Sequence, residues 1–136
     1  MLQTLSPQAM REMERHFLHR TGFPGLLLME QAAMALVHQL QQMVPKGGHV
    51  LFCCGGGNNG GDGFAAARRW RMGGGACTVW CLSPLTSLTG DAAVNANALS
   101  AWDIPIHNPH SLPEQAPPGT AVLVDALFGT GLARPL

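Results

Sequence analysis

The string GGGNNGGDGF at positions 55–64 constrains this chain more than any other feature. It follows an unbroken apolar run, His49-Val50-Leu51-Phe52-Cys53-Cys54, and leads into a helical stretch from about Phe64 to Met72. An apolar run without period-two alternation marks a strand covered on both faces, as in a parallel sheet. A loop is therefore predicted over Gly55–Gly63, with glycines that permit positive φ and close approach of backbone to a ligand. Amides at the start of the following helix suit a phosphate without any basic side chain. The string is neither a Walker loop, which needs Gly-Lys-Ser/Thr, nor a strict GxGxxG fingerprint with an acidic residue at the next strand end. Asn58, Asn59 and Asp62 add polar side chains to this cradle. A plain connector, in which the asparagines merely tolerate left-handed backbone, needs neither this length nor this cluster.

The flanking sequence alternates helix and strand. Ser6-Pro7 opens a first helix running to about His19, with Met10, Met13 and Phe17 as one apolar stripe and Gly22 as its stop. A second helix from about Pro24 to Met43 has an apolar face too wide for a surface helix, so it is expected to be largely buried. Ala76–Leu82 reads as a strand. Thr89 caps a helix from about Asp91 to Trp102, Ile104-Pro105-Ile106 is a short strand weakened by its proline, and Ala121–Asp125 is another buried strand. This order predicts a Rossmann-like α/β fold, a three-layer sandwich on a mostly parallel sheet with two N-terminal helices. In the strand order 3-2-1-4, strands 49–54 and 120–125 are neighbours. Their carboxyl ends then flank the switch point where open α/β sheets bind ligands. The two most unusual loops, 55–63 and 126–135, leave those two ends.

Length and composition narrow the functional class. The 136 residues are the size of one domain, and 46% of them are hydrophobic, ample for one core. Eight Lys and Arg balance eight Asp and Glu, which removes the electrostatic case for a nucleic-acid or anionic-membrane partner. Apolar stretches fall far short of the roughly 20 residues that span a bilayer. With no signal-peptide pattern and no disulfide framework among four cysteines, the chain reads as cytoplasmic with reduced thiols. Cys77 and Cys81 lie about 13 Å apart along their strand, too far to bridge. Zinc is excluded by the lack of a CxxC pair and by scattered histidines. Arg68, Arg69 and Arg71 are read as a solvated helix face rather than a phosphate clamp.

Asp125 follows four apolar strand residues and precedes Ala126-Leu127-Phe128-Gly129-Thr130-Gly131. A carboxylate at a strand tip contacts a ligand, a metal or backbone amides; the bland alternative is an aspartate that caps its own turn. Hard oxygens from Asp125 and an Asn59 carbonyl suit an alkali or alkaline-earth cation better than zinc.

GGGNNGGDGFAAAR (55–68) and VDALFGTGLARP (124–135), together with LLLMEQAAMAL (26–36), closely resemble the NAD(P)H-hydrate epimerases, the YjeF N-terminal domain family. The resemblance runs over nearly the whole chain, with two specific motifs in the right order. It implies interconversion of the R and S forms of NADHX or NADPHX, damaged cofactors whose S form a fused or separate dehydratase consumes. By that resemblance Asn58, Asn59, Gly60, Gly61 and Asp62 bind substrate, and Gly129, Thr130, Gly131, Leu132, Ala133, Arg134 and Pro135 close over it. Asn59 and Asp125 ligate potassium. Asp62 is the candidate acid/base for the reaction.

The family continues into a further strand and a D-I-P-S-G-like segment, which this sequence does not reach by Leu136. The resemblance therefore implies a partial domain over 1–136, with an incomplete potassium site and an interior strand left as an apolar edge. Such an edge predicts a homodimer or higher assembly. The rival readings are a non-catalytic nucleotide- or protein-binding module, and an inactive fragment of a bifunctional epimerase–dehydratase.

Overall fold

The computed structural model describes residues 4–131. Helix α1 spans Pro7–Thr21; Ser6 caps it by accepting the Ala9 amide at 3.1 Å, and Gly22 ends it at φ 68°. Proline at the first helical position and glycine just past the end are where each residue is least costly. Helix α2 spans Gly25–Met43, followed by strand β1 at His49–Cys54, helix α3 at Asn58–Met72 and strand β2 at Ala76–Cys81. Helix α4 covers Gly90–Ala98 and tightens into a 3₁₀ turn at Leu99–Trp102; strands β3 (Ile106–His107) and β4 (Thr120–Ala126) complete the order. Thr89 occupies the cap position of α4, but its side chain accepts no cap hydrogen bond.

The four strands form one parallel sheet in the order β3-β2-β1-β4, so the order reverses between β1 and β4. That is the arrangement the alternating pattern predicts, and the fold is Rossmann-like α/β. One face carries the main core: Val50, Phe52 and Cys54 of β1, Val79 and Cys81 of β2, and Val124 and Ala126 of β4 pack against α2, α3 and α4. The other face holds a smaller cluster of Leu51, Cys53 and Trp80 with Leu127, to which no helix contributes among the described residues.

Three expectations are corrected. The loop after β1 is only Gly55–Gly57, because α3 begins at Asn58 and takes NNGGDG into its first two turns. None of the glycines from 55 to 63 has positive φ; all but Gly57 serve close packing instead. A Cβ on Gly60 would lie 1.9 Å from the Gly55 carbonyl oxygen, and one on Gly61 2.5 Å from Met29 Cε. On Gly63 it would lie 2.7 Å from Cys54 Sγ. With Ala65, Ala66 and Ala67 also buried, α3 lies close against the sheet.

Second, α2 is not largely buried. Only Met29, Ala33 and Leu40 are enclosed, while Leu27 and Met34 are exposed, because the helix packs chiefly along α3. Third, β4 is not apolar-in on both faces. Val124 and Ala126 are buried but Ala121, Leu123 and Asp125 are exposed, because these alternate residues lie on the sheet face that no helix covers among the described residues. Helix α1 likewise buries none of its residues; Met10, Met13 and Phe17 are all partly open to solvent.

Candidate functional site

The carboxyl ends of β1 and β4 lie side by side, with Cys54 opposite Ala126 in the ladder. The pairing continues one residue further, where the Gly55 amide donates to the Ala126 carbonyl at 2.9 Å. No other residue fits at 55, since a Cβ would stand 2.0 Å from the Leu127 carbonyl oxygen. The segment after β2 joins through Ser83, whose Oγ would be 2.7 Å from a Cβ on Gly56. The two turns are also tied by side chain: Asn59 Nδ2 donates to the Phe128 carbonyl at 3.0 Å, and Gly129 lies against the Asn59 Cβ.

Above this junction opens a cavity of about 850 Å³. Gly55–Gly57, Asn58, Asn59 and Asp62 line one side, and Leu127–Gly131 the other. Helical spacing explains the division of labour within α3. Asn58, Asn59 and Asp62, at i, i+1 and i+4, face the cavity, while Gly60, Gly61 and Gly63 are buried beneath it. The α3 amino end is anion-friendly: Gly57 offers no side-chain cap and the first turn holds no acidic residue.

Asp62 is half-buried, and its pKa is pushed up to about 6, first by burial and second by the charge of Glu14. A carboxyl at that value exchanges a proton near neutrality. Asp125 is exposed; its Oδ1 accepts the Leu127 amide at 3.1 Å, so it does cap its own turn. It is not among the residues on the cavity wall, nor are Gly60 and Gly61. Gly129, Thr130 and Gly131 are on the wall, whereas Leu132, Ala133, Arg134 and Pro135 lie outside the described residues.

Sequence reasoning missed the third side of the cavity, which α1 supplies through Met10, Arg11 and Glu14. The Arg11 guanidinium donates to the Thr130 carbonyl. Spacing of Arg11 and Glu14 on one helical face was the available signal, but nothing local said which face would meet the sheet. Arg68 and Arg69 are taken by Glu30 of α2, away from the cavity. The four cysteines are unpaired and burial raises every thiol pKa, Cys77 to about 11, which disfavours the thiolate form. Among the described residues no three His, Cys, Asp or Glu side chains converge on a metal site, and no helix is long and apolar enough to cross a membrane.

The family described as YjeF-related protein N-terminus matches residues 25–136. The chain is 35% identical over 136 residues to an NAD(P)H-hydrate epimerase of Rhodopirellula baltica, covering 99% of this chain and 55% of that protein. It is 27% identical over 134 residues to an NAD(P)H-hydrate epimerase of Limosilactobacillus fermentum, covering 98% of this chain and 62% of that one. Both relatives are thus substantially longer than the stretch they share with it. The crystal structure of yeast ynu0 superposes with a TM-score of 0.85 at 25% identity, over 99% of this chain and 60% of that one.

Proposed function

Because the chain belongs to the YjeF-related N-terminal family, we propose that it epimerises the hydrated nicotinamide ring of NADHX and NADPHX. The observation that carries this reading is Asp62, a carboxyl with a pKa of about 6 on the wall of a cavity built by the two motif turns. The substrate bears a hydroxyl on ring carbon 6, beside the ring nitrogen. Protonated Asp62 gives its proton to that hydroxyl, the C6–O bond breaks with its electron pair leaving on water, and the nitrogen lone pair forms an iminium. Water then adds to the opposite face and releases its proton to solvent, from which the Asp62 carboxylate is reprotonated. No electrons are gained or lost, and one acid/base suffices.

The potassium expectation is consistent with the donors present. Asn59 uses its amide nitrogen on Phe128, which leaves its Oδ1, and Asp125 uses Oδ1 on its own turn, which leaves Oδ2. Both are hard oxygens of the kind alkali cations take. Potassium held by Asn59 and Asp125 would tie the start of α3 to the end of β4 and offset the Asp125 charge, which stands off the cavity wall. Reduced, buried thiols and a soluble-cofactor substrate fit a cytoplasmic setting, with a dehydratase consuming the S product.

The test is direct: mixed S and R NADHX is incubated with the protein in potassium or tetramethylammonium buffer and the isomers are resolved by chromatography. Equilibration above the spontaneous rate, faster with potassium, is the expected result. Equilibration at the spontaneous rate in both buffers removes the proposal.

A further inference from the structure

The cavity presents a charge problem that its motif residues do not solve. Its described wall holds two carboxylic acids, Asp62 and Glu14, and one cation, Arg11. The substrate proposed above carries a pyrophosphate. The uncapped amino end of α3 supplies amides for such an anion, but no full positive charge. Arg11 lies on α1, outside the residues 25–136 that the family model matches, and reaches across 119 residues of sequence to the Thr130 carbonyl. A guanidinium has five N–H donors in a planar fork suited to phosphate, and the Thr130 contact uses one of them.

From this we infer that Arg11 is a substrate-binding residue, pairing with the pyrophosphate and fixing α1 and the 127–131 turn over the bound dinucleotide. The inference rests on the epimerase reading for the identity of the ligand. The position of α1 supports it independently. The helix buries none of its own residues, yet three of them, Met10, Arg11 and Glu14, line the cavity. At this site α1 is tied to the turn after β4 by the Arg11 contact with the Thr130 carbonyl. The Arg11 charge and the residues at the α3 amino end line the same cavity, so one bound anion could draw on both. Asp62 and Glu14 remain with the ring-hydroxyl chemistry, where negative charge favours the iminium.

The experiment compares ADP with adenosine as calorimetric probes, and NADHX in the epimerisation assay. Wild type is expected to prefer ADP. Arg11→Gln should weaken ADP binding about 10- to 100-fold, the loss of a charge-assisted phosphate contact, while leaving adenosine affinity within about twofold. In the assay its KM for NADHX should rise by a similar factor with kcat little changed, Arg11→Lys should restore part of the affinity, and Arg15→Gln, an exposed neighbour on the same helix, should behave as wild type. Unchanged ADP affinity in Arg11→Gln overturns the inference. So does an equal loss of ADP and adenosine binding, which would make Arg11 a loop anchor only, and so does loss of phosphate preference through Arg134→Gln with Arg11→Gln silent. Wild type that binds neither nucleotide also overturns it. Wild type that binds ADP through Arg11 but does not epimerise NADHX sustains this inference and removes the epimerase reading instead.

Discussion

Asp62 loses hydration on the cavity wall and feels the Glu14 charge, and both effects favour its protonated form. At pH 7, with a pKa of about 6, roughly one molecule in ten carries the proton. The epimerisation rate should therefore be level below pH 6 and fall about tenfold per unit above it, as a required acid ionises. Glu14→Gln should move that limb to lower pH by removing the second cause of the shift, while burial keeps it above the ordinary value of 3.8. Asp62→Asn should lower turnover of bound substrate by about 100-fold or more, with affinity little changed. The same variant should be more stable at neutral pH. A raised carboxyl pKa means that folding is favoured below about pH 3.8, and that this contribution is lost as pH rises through about 6. For a half-exposed group the gain is about 1 kcal/mol, read by urea denaturation at pH 5 and pH 8; an Asp62→Asn profile parallel to wild type would contradict it.

At the scale of elements, the seating of α3 on the sheet determines whether a site exists. Gly60 and Gly61 were read from the resemblance as substrate-binding, and the structure places them under the cavity, where they let α3 approach Gly55 and Met29. Gly60→Ala should destabilise the protein by about 3 kcal/mol or more, because the obstructing atom is a backbone carbonyl that cannot rotate away. Gly57→Ala meets nothing within 4 Å and sits at φ −96°, so it should cost about 1 kcal/mol at most, the difference between two poor caps. Thermal denaturation of the pair distinguishes packing from conformational freedom; equal losses would refute the packing account. The boundaries of β1, β2 and α1 were legible because apolar runs, Ser6-Pro7 and Gly22 are local signals. The start of α3 was not. Consecutive glycines are poor helix formers, and only the tertiary demand for a close approach turns NNGGDG into helix.

Across the whole molecule, the strand order β3-β2-β1-β4 joins the two motif turns, and this was readable from strand–helix alternation together with the right-handed crossover rule. The placement of α1 was not readable, since a helix's partner surface is set by contacts remote in sequence, here Arg11 with Thr130. The outer edge of β4 has no sheet partner among the described residues, and Leu123 beside it is 53% exposed. An edge left unpaired among the described residues, with an apolar side chain, favours pairing with a second copy, so light scattering of this 136-residue polypeptide should show a dimer or larger species, and Leu123→Lys should shift it toward monomer. A monodisperse wild-type monomer would refute that. The central claim, that the meeting of the 55–62 and 127–131 segments makes an epimerase pocket with Asp62 as its proton donor, is tested most directly by exchange at ring carbon 6. R-NADHX incubated with the protein in ¹⁸O-water should acquire label at C6 and S configuration together, both abolished by Asp62→Asn. Label and inversion at the uncatalysed rate, or undiminished in Asp62→Asn, would contradict it.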